Sequence, residues 1–232
     1  SKNIFVALVL SVFILSPFVM KKMKSLDKTD WIRLFFIGLI GGSLPFLLFF
    51  KGLSLATSVN AAFIHKTMFV WVSILAIKFL GEKIGKFQLL AMGLLLLGSY
   101  FFIGLKGLSF GLADVLILVA TLFWAVEYVI AKKALKNIQP EIVAWARMFF
   151  GSFVLLGFLF VTGQASGLVV FNYIQWSWVV VTAVLLLGYV LTWYKALKLL
   201  PASVVTSVLV IGAPITAILN KVFISKDISI IQ

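Results

Sequence analysis

An all-α membrane protein is predicted from three observations. Of the 232 residues, 63% are hydrophobic, only 12% are charged, and the apolar residues run in stretches long enough to cross a bilayer. Soluble domains carry roughly 45–50% apolar and about 25% charged residues. Their surface stays in water and needs a polar shell, which this chain does not have the residues to build.

The net charge of +13 comes from 20 Lys+Arg against 7 Asp+Glu. The lysines fall in short clusters between apolar runs, a pattern that suits a cytoplasmic face and anionic lipid, so no nucleic-acid partner is expected. There are no cysteines and one histidine. That composition offers neither a disulfide framework nor a Cys/His metal site, and no cofactor is expected. A Gly-rich phosphate loop and a nucleophile paired with a base are likewise missing from the sequence.

A helix needs about 20 apolar residues to cross the hydrocarbon, because every backbone amide must be satisfied inside it. With Lys clusters, Gly and Pro as punctuation, about eight spans are expected, at 3–20, 31–50, 56–80, 86–104, 110–131, 141–162, 175–195 and 202–222. The first resembles a secretory signal, but Lys21 and Lys22 follow it in place of a small-residue cleavage site, so it reads as a true span. Pro17, Pro45 and Pro214 lie within spans and are expected to kink them. Gly38 and Gly42 match the small-residue packing spacing, read as ordinary helix contact.

The charges alternate from one side to the other. One side carries Lys21, Lys22, Lys24, Lys28 and Arg33, then the clusters at 78–86, 132–136 and 195–198, about thirteen cations in all. The other carries five: Lys2, Lys51, Lys106, Lys221 and Lys226. The richer side is expected to be cytoplasmic, so span 3–20 runs from outside to inside.

The chain also carries an internal repeat. Phe50-Lys51-Gly52-Leu53 aligns with Tyr194-Lys195-Ala196-Leu197, an offset of 144 (195 − 51). The stretch from Lys78 to Gln88 aligns with Val222 to Gln232 at the same offset, and Ile4-Phe5-Val6 falls on Met148-Phe149-Phe150. One repeat holds five spans, so the second copy enters the membrane with the opposite orientation. The Lys-rich loop after span 3–20 and its partner 163–174, which has no Lys or Arg, agree with that. Spans 110–131 and 86–104 lack repeat partners, so the sequence reads as the second through ninth helices of an inverted five-plus-five bundle.

Specific residues carry a family resemblance. Gly52-Leu53, Ala56-Thr57-Ser58 and Phe79-Leu80-Gly81-Glu82-Lys83 look like the "AL…AS…FLGE" helix and loop of the drug/metabolite transporter superfamily, the ten-helix EamA-like membrane transporters. Ala196-Leu197, Pro201-Ala202-Ser203, Pro214 and Phe223-Ile224-Ser225 look like its second copy, and Phe123-Trp124-Ala125 resembles the start of its second half. Two departures stand out: Lys226 or Asp227 replaces the second loop Glu, and no Pro lies near Val70. The resemblance implies a first EamA-like repeat over 1–104 lacking its first helix and a second over 109–232 lacking its last. It also implies a multi-pass protein of the cell membrane that moves a small metabolite outward by alternating access, and not an enzyme.

Ionisable groups inside spans are the best pointers to a site, since each costs at least about 2.5–3.5 kcal/mol at the bilayer centre unless it faces protein or water. Glu127 shares a helical stripe with Thr121, Trp124 and Tyr128; Asn60, Ser58 and His65 form a polar side of span 56–80, with Lys66 about 100° further round. Tyr189, Thr192 and Trp193 add a third group. The resemblance implies a central pocket lined by these helices. The substrate-binding or coupling candidates are Asn60, His65, Lys66, Trp124, Glu127, Tyr128, Tyr189 and Trp193, with proton coupling through Glu127 or His65. Against this stands a purely structural reading, in which Lys66 and Glu127 cancel each other's charge and His65 is a satisfied interior residue. Arg147, near a helix end beside Trp145, is expected to snorkel to the interface.

Two other functions compete: a membrane-embedded enzyme acting on a lipid-linked or small substrate, and a helical channel or scaffold. The enzyme would need paired acids, yet Asp114 and Glu127, the acids sharing a span, are thirteen positions apart. A channel has no need of inverted repeats, whereas a rocking transporter does. The orientation is testable because the chain has no native cysteine. A Ser25→Cys variant is expected to resist an impermeant thiol reagent in intact cells and to react after permeabilisation; labelling of intact cells would invert the topology.

Overall fold

The computed structural model describes residues 17–56, 58–103, 111–163 and 173–212, together with Ile14, Ile215 and Leu219. Most of span 3–20, the second half of span 202–222, Thr57, loop residues 164–172, Lys106, Pro214 and the 222–232 stretch of the repeat lie outside the described residues.

Every described regular element is helical: α1 (Pro17–Met23), α2 (Lys28–Gly42), α3 (Leu44–Leu53), α4 (Ser58–Lys66), α5 (Met68–Leu80), α6 (Lys86–Ile103), α7 (Leu112–Ala134), α8 (Pro140–Val161), α9 (Tyr173–Leu199) and α10 (Ala202–Val208), which runs into a 3₁₀ turn at Leu209–Ile211. Five described stretches are long and apolar enough to span a membrane: Lys28–Leu53, Asn60–Leu80, Leu112–Ala134, Pro140–Val161 and Trp176–Leu199. Lys86–Gly98 and Ala202–Ile211 are shorter apolar helices.

Two of the five spans are interrupted, each with its own repair. The first breaks at Ser43, because Pro45 brings no N–H and its ring crowds the carbonyl four residues back. The Ser43 hydroxyl donates to the Leu39 carbonyl at 2.8 Å, keeping the junction bonded. The second breaks at Thr67, without any proline. Thr67 Oγ1 donates to the Ile64 carbonyl at 2.7 Å and accepts from Trp71 Nε1 at 3.0 Å, so the hydroxyl joins α4 to α5 on both sides of the break.

Contacts divide the chain into two compact units: Ser1–Phe46 with Ile130–Leu199, and Leu47–Val129 with Leu200–Gln232. In the first, α2 packs along α8 through a glycine seam. A Cβ on Gly42 would strike the Arg147 carbonyl, one on Gly38 would strike Phe150 Cβ, and one on Gly151 would lie 2.7 Å from the Gly42 carbonyl oxygen. The Gly38/Gly42 spacing therefore serves contact within this chain, as expected. Aromatic rings close the seam's flank, with Trp31 against Trp145 at 6.1 Å and Phe35 against Phe150 at 5.6 Å, both edge to face. Asp27 starts α2 by accepting from the Asp30 amide at 2.7 Å. Pro140 and Glu141 start α8 with a preset φ and a negative charge at the positive end of the helix dipole.

In the second unit, Ala61, Ile64 and Ile117 form a buried cluster covered by Phe49, Leu53, Ala56 and Leu118. Gly52 lets α3 approach α7 closely, since a Cβ there would lie 2.7 Å from Ile117 Cγ1. Phe69, Met92 and Val210 form a second cluster that ties α5 and α6 to the 3₁₀ turn after α10. Gly81, left-handed at φ 69°, ends α5. Large apolar side chains such as Phe87 and Val161 are almost fully exposed, as lipid-facing residues are.

The glycine seam predicts opposite outcomes for two substitutions on one helix. Gly151→Leu is expected to lower the melting temperature sharply, overpacking costing about 1–3 kcal/mol or more. Gly157→Leu should be tolerated, because nothing lies within 4 Å of a Cβ there. Thermal unfolding in detergent, followed by size-exclusion fluorescence, reads both; equal losses would refute the seam.

Candidate functional site

The second unit gathers the polar stripe of α7. Thr121 and Glu127 are fully buried, Trp124 is 5% exposed and Tyr128 3%, whereas Val126, on the other side of the same turn, is 38% exposed. Residues three or four apart share a helix face, so the stripe faces protein, while Val126 faces outward. Thr121 spends its hydroxyl on the Ile117 carbonyl at 2.8 Å, within its own helix.

Facing this stripe, α4 ends in His65 and Lys66, both half-buried, as is Asn60 near its start. The His65 ring centroid lies 5.0 Å from that of Trp124 and 5.3 Å from that of Phe49, and Phe49 lies 5.6 Å from Trp124. Three elements, α3, α4 and α7, thus bring three rings into mutual contact. The imidazole Nδ1 is buried and has no hydrogen-bond partner among the described residues. Burying such a nitrogen unbonded is unfavourable by about 1–3 kcal/mol, which makes it a ready partner for a group entering the site.

The first unit holds the other two candidates. Tyr189 and Trp193 lie one turn apart on α9 and stack at 6.0 Å, with Tyr189 41% exposed and Trp193 5%. Next to them, Tyr194 is fully buried, and its hydroxyl accepts from Arg147 Nη1 at 3.3 Å. Arg147 corrects an expectation: it is buried inside the protein rather than snorkelling to the interface. The reason is local, since its own backbone carbonyl sits in the glycine seam with Gly42 while its side chain reaches across to α9.

Sequence reasoning missed Phe49 and Tyr194. Nothing in residue type separates Phe49 from Phe50; only the helical phase that also carries Leu53 and Ala56 to the Ala61/Ile64/Ile117 cluster could have found it. Tyr194 stood in the repeat alignment, where its match to Phe50 concealed its hydroxyl. Asp114 proves to be a helix-end residue: its Oδ2 accepts from the Gly111 amide at 2.9 Å. It lies thirteen residues, or about 20 Å of helix rise, from Glu127, so the two acids cannot act on one bond. No cluster of His, Asp and Glu fit to hold a metal occurs among the described residues.

Among curated proteins no sequence matches this chain. A solved structure, described only as a crystal structure of a protein, superposes with a TM-score of 0.76 at 16% identity, covering 100% of this chain and 83% of that one. That likeness shows a shared fold. The model of the EamA-like transporter family matches the chain twice, over residues 2–104 and 111–232. This chain, a multi-pass helical membrane protein, therefore belongs to the EamA-like transporter family, whose members carry small molecules across membranes.

Proposed function

We propose that the protein is a secondary transporter that moves a small metabolite outward by alternating access. The observation that carries this reading is the aromatic cluster of Phe49, His65 and Trp124, in which the His65 imidazole, its Nδ1 buried, touches both other rings, and Trp124 lies one helical turn along α7 from the buried Glu127. Two matches to one family over successive halves of the chain support a two-copy architecture, the arrangement that inverted repeats use to rock around a site. We take the halves to be repeats over 1–104 and 109–232, inverted with respect to each other, with the Lys-rich loops cytoplasmic.

In this reading His65, Trp124, Glu127 and Tyr128 bind substrate or couple its movement to a proton. Asn60 and Lys66 add polar groups from α4. The Tyr189–Trp193 stack is a second recognition element on α9. A charged carboxylate or imidazole in a protein interior is costly, so exchange of a proton or a cationic substrate group at Glu127 would favour one conformation over the other.

The first experiment is a thermal-shift screen of amino acids, nucleosides and organic cations against the purified protein, since a ligand that binds only the folded state raises its stability. Hits then enter uptake assays in inside-out vesicles, where outward transport appears as accumulation; accumulation only in right-side-out vesicles would reverse the direction.

Glu127→Gln keeps the shape and removes the charge. With expression and melting temperature close to the parent, it is expected to lower transport at least tenfold and to flatten its pH dependence. If Lys66 balances this charge, Glu127→Gln instead destabilises the protein and Lys66→Met restores it, because the uncompensated charge is what costs. Unchanged transport by a well-folded Glu127→Gln variant would remove this residue from the mechanism.

A further inference from the structure

The loop after α5 makes a contact that the candidate site does not use. Gly81 turns the chain in the left-handed region, and the next residue, Glu82, reaches the first turn of α10. Its Oε1 accepts from the Ala202 amide at 2.6 Å, and its Oε2 accepts from the Ser203 amide at 3.2 Å and the Ser203 hydroxyl at 2.7 Å. From the first turn of α6, Gln88 Nε2 donates to the same Ser203 hydroxyl at 3.0 Å. One carboxylate thus ties the end of α5, the start of α6 and the start of α10 together across more than a hundred residues of sequence.

The bonding explains why a carboxylate stands there. The first amides of a helix have no partner within it and carry the positive end of its dipole, so an anion with two oxygens satisfies both needs. Pro201, directly before α10, lacks an N–H, so Ala202 and Ser203 carry the first amides of this helix end, and both bond to Glu82. Ser203 is 1% exposed, and its hydroxyl accepts from Gln88 while donating to Glu82. Directly beyond the network, α6 and α10 separate to leave an apolar groove of about 240 Å³ lined by Ala91, Met92, Leu95, Val204, Ser207 and Val208. The two helices are joined at the Glu82 end by hydrogen bonds, part along the groove, and meet again only through the apolar contact of Met92 with Val210, so the polar tie is confined to one end.

We propose that Glu82 is a positioning residue, a latch that holds the start of α10 against α5 and α6 in one state of the protein and releases it in the other. Its place in a transport cycle rests on the alternating-access reading; the latch itself rests on the contacts. Charge-assisted hydrogen bonds of this kind break as a set, since losing the carboxylate strands two amides and a hydroxyl together. Release therefore separates the two helices along the groove.

Labelling in native membranes tests this without any substrate. Ser207→Cys places the chain's one thiol in the groove, and Thr162→Cys, in the other compact unit, serves as the reference. With N-ethylmaleimide as probe, adding Glu82→Ala is expected to raise the Ser207→Cys rate about tenfold and to leave the Thr162→Cys rate unchanged. An unchanged Ser207→Cys rate, or an equal rise at both positions, overturns the latch. Should Glu82→Ala fail to accumulate, Glu82→Gln and Gln88→Leu read the same ratio, with a rise of severalfold expected; no rise in either overturns the proposal. In transport, Glu82→Ala is expected to lower turnover while leaving the half-saturating substrate concentration within twofold. Failure of every form to carry any substrate would overturn the transporter reading and the latch's part in its cycle, while the labelling ratio would still decide whether the latch exists.

Discussion

The absence of water from the hydrocarbon layer is the constraint on which this structure depends. Each backbone amide there must find its partner within the protein, which permits helices and forbids open strands or loops. The consequence extends beyond helix content to the places where helices stop. Ser43 and Thr67 interrupt two spans, and at both a hydroxyl returns a hydrogen bond to a carbonyl of the preceding turn. Thr67 goes further by accepting from Trp71, so a large aromatic side chain is positioned by the same atom that repairs the break. Local interruption and polar placement are in this way one problem with one solution.

Helix association in lipid cannot draw on the hydrophobic effect, because the lipid chains are as apolar as the side chains they would replace. Close packing and buried polar contacts remain. The first compact unit uses both along α8: a glycine seam toward α2 and the Arg147–Tyr194 hydrogen bond toward α9. The second unit relies on small aliphatic contacts around Ile117 and on the Glu82 network at the start of α10. Each unit draws helices from two separate stretches of the chain, so the contacts that stabilise it are long-range in sequence.

Much of this was legible in the sequence, and the boundary lies where physics stops being local. Span positions follow from apolar run length, so Leu112–Ala134 and Pro140–Val161 match expectation within a few residues. The stripe of Thr121, Trp124, Glu127 and Tyr128 follows from helical periodicity, and its burial agrees. The break at Thr67 left no mark in the sequence, since no proline stands there and a threonine that bridges a break does not change the hydropathy of the span. Arg147 was misplaced because distance from a helix end decides between interface and interior only for an isolated helix; here Tyr194, contributed by another helix, decides it. Phe49 was missed for the same reason, its partners being two other helices.

Charge at helix ends completes the argument. Lys132 donates to the Leu197 and Lys198 carbonyls at 2.6 and 3.3 Å, where α9 presents its negative end. Glu82 accepts from the Ala202 and Ser203 amides, where α10 presents its positive end. Only Leu199, Leu200 and Pro201 separate the two sets of bonded backbone groups. A cation on the one and an anion on the other satisfy opposite dipole ends; positive-inside counting sees Lys132 only as a charge and leaves Glu82 out. The charged residues near the ends of these helices therefore carry structural information as well as topological information. Lys132 contributes to the expected cytoplasmic excess while fastening the last turn of α9, and a single acid in a Lys-rich loop, Glu82, holds the first turn of α10 where lysine could not accept the bonds.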